Sequence, residues 1–311
     1  VTVKQLQTGY ANGEFTAEEV VQSFLERIEE FEANYNAFTF RNPHIIEEAK
    51  AFDRLREEGA ELGPLAGIPI VIKEAVDIAG YPSTFGWAPL AKAVGGMELM
   101  PTKDAPVVTQ LKQAGALILG KTNIPAFSCA YNANNSWAGP TFNAVNREIS
   151  PGGSSSGTAM AVSGNFAVLG VAEETAGSIQ VPAAAQALVG IKPSFGLIPS
   201  KGVTPLAGST RDVLGPHART VEDAAIMLSV MAGYSKEDVK TAVAKGNVPE
   251  AGYTAFLDAG ALKGKRLGLY GPGWRTAELS PETEELYARA IDELKKLGVE
   301  VVEDPFAGTG F

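Results

Sequence analysis

Ser150-Pro151-Gly152-Gly153-Ser154-Ser155-Ser156-Gly157 is followed at once by apolar, helix-forming sequence and then by Phe166-Ala167-Val168-Leu169-Gly170-Val171-Ala172. That run leads directly into Glu173-Glu174-Thr175-Ala176-Gly177-Ser178. The first segment fits three structures. A flexible linker has this composition, but a linker is not set between two core elements. A phosphate loop needs Lys and then Ser or Thr after its last glycine, whereas Thr158 and Ala159 follow Gly157. The third is a loop that gathers serine hydroxyls and backbone N–H groups at one point.

Residues 166–172 read as a buried strand, and active-site residues in open α/β sheets gather at strand ends. Ala176 and Gly177 are small enough to let the backbone approach a substrate. Consecutive N–H groups there can form an anion-binding nest. A plain tight turn accounts for the same residues equally well. The G-x-S-x-G nucleophile elbow does not fit, because Gln180 stands where its last glycine belongs.

Outward from this stretch, helix and apolar strand alternate. Thr16-Ala17-Glu18-Glu19 is a capping box, followed by Val20, Phe24, Ile28 and Phe31 on one helical face. A second helix is expected over 45–58. Gly67-Ile68-Pro69-Ile70-Val71-Ile72 reads as a buried strand with Lys73 at its end. A helix at 107–114 precedes another apolar strand at 116–120. Strands are expected at 266–270 and 299–302, with a helix between them capped by Ser280 and Pro281. The polar stretch 234–252 reads as an excursion from the core. This alternation predicts a mostly parallel α/β core.

The 311 residues, 45% hydrophobic and 20% charged, suit a globular protein with a substantial core. A formal charge of −10 argues against nucleic acid or an anionic membrane as the main partner. No apolar run is long enough for a membrane-spanning helix. Cys129 is the single cysteine, and with only His44 and His217 beside it, a classical zinc site is not expected. No cofactor and no metal is called for. The lack of a disulfide pair fits a cytoplasmic location.

A serine nucleophile needs a base. Neither histidine lies near a recognisable triad partner; His217, after Pro216, reads as a loop residue. Lysine serves if burial lowers its proton affinity, and Lys73 is placed for that. A snorkelling strand end is the alternative for Lys73. Cys129 lacks a Cys-His pairing pattern and reads as a small buried hydrophobe.

Taken together, these segments resemble the amidase signature family. The matching pieces are Gly67-Ile68-Pro69-Ile70-Val71-Ile72-Lys73-Glu74, Gly120-Lys121-Thr122-Asn123 and Pro151-Gly152-Gly153-Ser154-Ser155. Ala176-Gly177-Ser178-Ile179-Gln180-Val181-Pro182-Ala183 and Gly190-Ile191-Lys192-Pro193 complete the set. The resemblance implies the α/β amidase-signature fold, a mixed, largely parallel central sheet covered by helices on both faces. It also implies one domain over 1–311, without the C-terminal part usual in the family. Its catalytic set is a Ser-cisSer-Lys triad, with Ser178 as nucleophile, Ser154 as bridging serine and Lys73 as base. Backbone N–H groups of Thr175, Ala176, Gly177 and Ser178 would hold the oxyanion. Ser128 falls where the family places a residue near the substrate carbonyl.

Four positions depart from the family pattern. Glu173-Glu174 replace the usual Thr-Asp, Ala176 replaces the first of two glycines, and Gln180 replaces an arginine. The implied activity is hydrolysis of a small-molecule amide to acid plus ammonia or amine. The alternatives are an ammonia-supplying subunit of a glutamine-dependent tRNA amidotransferase and a non-catalytic amidase-like binding protein. A homodimer or a complementary C-terminal fragment is the expected protein partner.

Overall fold

The computed structural model describes residues 1–269, 278–306 and 308–309. Its chain divides into two compact units, Val1–Ala255 and Phe256–Phe311. In the first, helices α1 (Val3–Asn12) and α2 (Ala17–Tyr35) lead to strand β1 (Phe38–Arg41). The capping box of α2 forms as the sequence predicts: Thr16 Oγ1 accepts from Glu19 N, and Glu19 accepts from Thr16 N. Val20, Phe24 and Ile28 point inward. Helix α3 (Ile45–Glu57) and strand β2 (Pro69–Lys73) follow, then α4 (Pro106–Gln113) and β3 (Leu117–Thr122). Helix α5 (Ser156–Ser163), strand β4 (Leu169–Glu174) and the short α6 (Gln180–Ala185) carry the serine-rich region. Strands β5 (Val189–Gly190) and β6 (Val213–Ala218) and helix α7 (Val221–Met231) complete the elements that build the sheet.

The six strands lie in the order β1-β3-β2-β4-β6-β5. Strand β2 pairs in parallel with β3 on one side and β4 on the other. Strands β1 and β6 run antiparallel to their neighbours, so the sheet is mixed. Burial of β2, β3 and β4 at every position explains their continuous apolar sequences. Helix α5 packs against this centre. Gly170 permits the approach: a Cβ there would stand 2.4 Å from Thr158 Cγ2.

Two expectations are corrected. Strand β4 begins at Leu169 and runs through Glu174, so both glutamates belong to the strand and are buried. Pro216 and His217 are not in a loop. They lie in β6, opposite Val171 and Gly170. Pro216 has no N–H to donate, but its carbonyl accepts from Ile191 N at 3.2 Å.

In the second unit, β7 (Arg266–Gly268) pairs in parallel with β8 (Glu300–Val302), and α8 (Pro281–Lys296) packs on β8. Ser280 caps α8 by accepting from Thr283 N, and Pro281 occupies its first turn. Tyr270, the last residue of the expected strand at 266–270, lies outside the described residues, as do Gly310 and Phe311 of the tail. Among the described residues, no helix is long and apolar enough to cross a membrane.

Candidate active site

Parallel pairing of β2 with β4 brings their carboxyl ends together, with Lys73 closing one strand and Glu173 and Glu174 closing the other. Lys73 is wholly buried. Its Nζ lies 2.7 Å from Ser154 Oγ, 2.7 Å from Glu173 Oε2 and 3.0 Å from the Glu173 carbonyl oxygen. Burial lowers the lysine pKa below its ordinary value, opposed by the adjacent Glu173 carboxylate and, from farther off, by Asp212 and Glu174. Lys73 is therefore not a snorkelling strand end.

The serine-rich segment is not a linker. Ser154, Ser155 and Ser156 are all buried, and each is held separately. The Gly153–Ser154 peptide bond is cis. Ser155 Oγ donates to the Glu173 carbonyl at 3.1 Å. Ser156 Oγ donates to the Gly152 carbonyl at 2.6 Å. Ser154 alone of the three reaches Lys73.

Ser178 closes the turn between β4 and α6 and is 5% exposed. Gly177 has φ +125°, backbone that a side chain rarely adopts. Among the described residues, the backbone N–H groups of Thr175, Ala176, Gly177 and Ser178 meet no acceptor, and Ser178 Oγ makes no hydrogen bond to Ser154. The two loops nonetheless share a neighbour in Tyr131. A Cβ on Gly153 would touch the Tyr131 main chain, and one on Gly177 would touch its ring. Tyr131 Oη donates to the Ala176 carbonyl at 2.5 Å.

Glu174 anchors the same turn from behind. Its carboxylate accepts from Ile179 N at 2.8 Å, Gln180 N at 3.0 Å and Gln180 Nε2 at 2.7 Å. His217 supports the next residue: its Nε2 donates to the Ile179 carbonyl at 2.9 Å, while Nδ1 is buried without a partner among the described residues. Burial lowers the His217 pKa to about 4, so the ring is neutral at ordinary pH.

Among the described residues, the side chains of Ser128 and Cys129 make no hydrogen bond to this cluster. Ser128 is buried with φ +58°, and its Oγ has no hydrogen-bond partner among the described residues. Cys129 is exposed, not the small buried hydrophobe expected, and its thiol donates to the Phe127 carbonyl at 3.3 Å. A cavity of about 650 Å³ beside Tyr10, Phe52 and Arg56 includes none of Lys73, Ser154 or Ser178. Its lining lacks the convergent buried groups seen around Lys73. The contacts of Tyr131, Glu174 and His217 were not foreseen from sequence. The position of Glu173 at the end of an apolar run was the signal that its carboxylate would be buried and in need of a partner.

Comparison with known proteins adds four findings. The family model described as Amidase matches residues 19–307. A glutamyl-tRNA(Gln) amidotransferase subunit of Cyanothece sp. is 36% identical over 307 residues, 97% of this chain and 60% of that protein. The same subunit from Symbiobacterium thermophilum is 37% identical over 317 residues, 100% of this chain and 62% of its own length. Among solved structures, native peptide amidase from Stenotrophomonas maltophilia superposes with a TM-score of 0.87 at 34% identity. That match covers 99% of this chain and 63% of the other. The chain thus spans about three-fifths of the length of these relatives.

Proposed function

The chain belongs to the amidase family, and from that premise we propose that it hydrolyses a small-molecule carboxylic amide through a serine acyl-enzyme. The observation that carries this is the wholly buried Lys73 amine, 2.7 Å from Ser154 Oγ, beside a turn whose successive N–H groups meet no acceptor among the described residues. Neutral Lys73 takes a proton from Ser154, which takes one from Ser178. The Ser178 alkoxide attacks the amide carbon. The N–H groups of residues 175–178 hold the oxyanion, a contribution of about 3–4 kcal/mol per donor in comparable sites. The proton then returns through Ser154 to the leaving nitrogen, since an amide anion departs poorly. Water enters and hydrolyses the acyl-enzyme by the same relay.

A second function is favoured by the names of the relatives: release of ammonia from glutamine within a tRNA amidotransferase complex. Glu173, Ala176 and Gln180, where the family pattern has other residues, weigh against it. Co-purification with partner subunits that stimulate glutamine hydrolysis would favour it.

A hydrolysis screen over aliphatic, aryl and peptide amides tests the leading function, run beside Ser178→Ala and with fluorophosphonate labelling. Turnover and labelling are expected in the wild type and in neither case for the variant, with its circular dichroism unchanged. Near wild-type turnover in Ser178→Ala would overturn the assignment.

A further inference from the structure

Glu173 stands where the family pattern has threonine, and it is 1% exposed. Its Oε2 lies 2.7 Å from Lys73 Nζ, and its main-chain oxygen 3.0 Å from the same atom. With Ser154 Oγ, Nζ has three oxygen neighbours, which matches the three donors of an ammonium. The same contacts also suit a neutral amine. Its two N–H groups then serve Glu173, and its lone pair accepts from the Ser154 hydroxyl. One geometry therefore accommodates both protonation states, and local charge decides between them.

The charged and titratable groups around Lys73 come from two strands and the residues beside them. Glu174 on β4 is committed to Ile179 N and Gln180. Asp212, preceding β6, is committed to Leu206 N, Ala207 N and Thr175 Oγ1. His217 on β6 is neutral and holds the Ile179 carbonyl. Thr175 Oγ1 also approaches Glu173 Oε1 at 3.5 Å. Among the described residues, Glu173 is the carboxylate in contact with Nζ.

Resting on the amidase reading above, we propose that Glu173 is a positioning residue that holds the Lys73 amine against Ser154 and, through its charge, raises the pH at which Lys73 releases its proton. A carboxylate at hydrogen-bond distance favours the ammonium, whereas a neutral residue leaves burial to act unopposed. The acid limb of activity therefore sits higher in this chain than it would with threonine at 173. A merely structural role for Glu173 would alter stability without moving that limb.

The test measures the rate of fluorophosphonate labelling from about pH 5 to 10, the span between carboxylate and lysine titration. It compares wild type with Glu173→Gln, Glu173→Thr and Glu173→Asp. The acid limb is expected to fall by about one to three pH units in the Gln and Thr variants. It stays near the wild-type position in Glu173→Asp, which keeps the charge. Glu173→Thr restores the residue of the family pattern and serves if the Gln variant does not fold. An NMR titration of isotope-labelled lysine, with Lys73 Cε assigned by its absence from Lys73→Met, reads the same midpoint without catalysis. A wild type that is never labelled overturns the amidase reading, and the NMR midpoint then decides this inference alone. Limbs and midpoints unmoved in the Gln and Thr variants, or equally displaced in Glu173→Asp, overturn it.

Discussion

Glu174 Oε1 accepts a hydrogen bond from Gln180 Nε2 at 2.7 Å, across the turn that carries Ser178. The family pattern has Asp and Arg at these positions. Here a longer acid meets a shorter, uncharged amide, and the turn stays tied to α6 without an ion pair. Glu174 also accepts from two backbone N–H groups. Glu174→Ala would leave the Ile179 N–H buried without a partner and is expected to cost about 1–3 kcal/mol. Gln180→Ala, at an exposed position, is expected to cost about 1 kcal/mol or less. Urea denaturation of the two variants checks the order.

The buried pair of Lys73 and Glu173 makes a prediction about stability that is independent of catalysis. Lys73→Met leaves the Glu173 carboxylate uncompensated and is expected to destabilise the fold by about 3–5 kcal/mol. The double variant Lys73→Met/Glu173→Leu removes both charges and is expected to recover most of that loss. A double variant less stable than Lys73→Met would show that the pair is not the source of the cost. Thermal unfolding of wild type and both variants makes the comparison.

His217 predicts a pH dependence. Its pKa falls from the ordinary 6.5 to about 4 on burial. Between these values the unfolded chain binds a proton that the folded chain refuses, so stability falls as pH drops from 6.5 toward 4. The full contribution is about 3 kcal/mol. His217→Gln keeps a donor for the Ile179 carbonyl but does not titrate. The wild-type stability curve should therefore fall more steeply than that of the variant across this window, as measured by urea midpoints at fixed temperature.

Tyr131 predicts a kinetic effect. Its hydroxyl donates to the Ala176 carbonyl in the turn proposed to hold the oxyanion. Tyr131→Phe loosens that turn and is expected to lower kcat about three- to tenfold, the worth of one hydrogen bond. KM should change little. A change confined to KM would place Tyr131 in substrate binding instead.

Much of the fold is local and was legible in the sequence. The Thr16 capping box, the Ser280-Pro281 helix start and the apolar runs of β2 and β3 declare themselves in a few residues, because capping and burial act over one turn or one strand. Strand β6 was hidden. Gly215-Pro216-His217 has loop chemistry, and only pairing with β4 on one side and β5 on the other makes it a strand. Strand β4 was legible as apolar, but its glutamates are strand residues only because the sheet buries them.

The sequence by itself determined the family, the α/β class and the residues Lys73, Ser154 and Ser178 as candidates, because those rest on motifs and short-range patterns. Tertiary structure decided which of them meet. Lys73 lies 81 residues from Ser154 and 100 from Glu173 along the chain, and parallel pairing of β2 with β4 closes the larger of those gaps. No local pattern could show that Glu173 would reach the buried amine or that Glu174 would hold the Ser178 turn. Contacts of this kind are set by where strands end relative to one another, and that depends on pairing between segments far apart in the sequence.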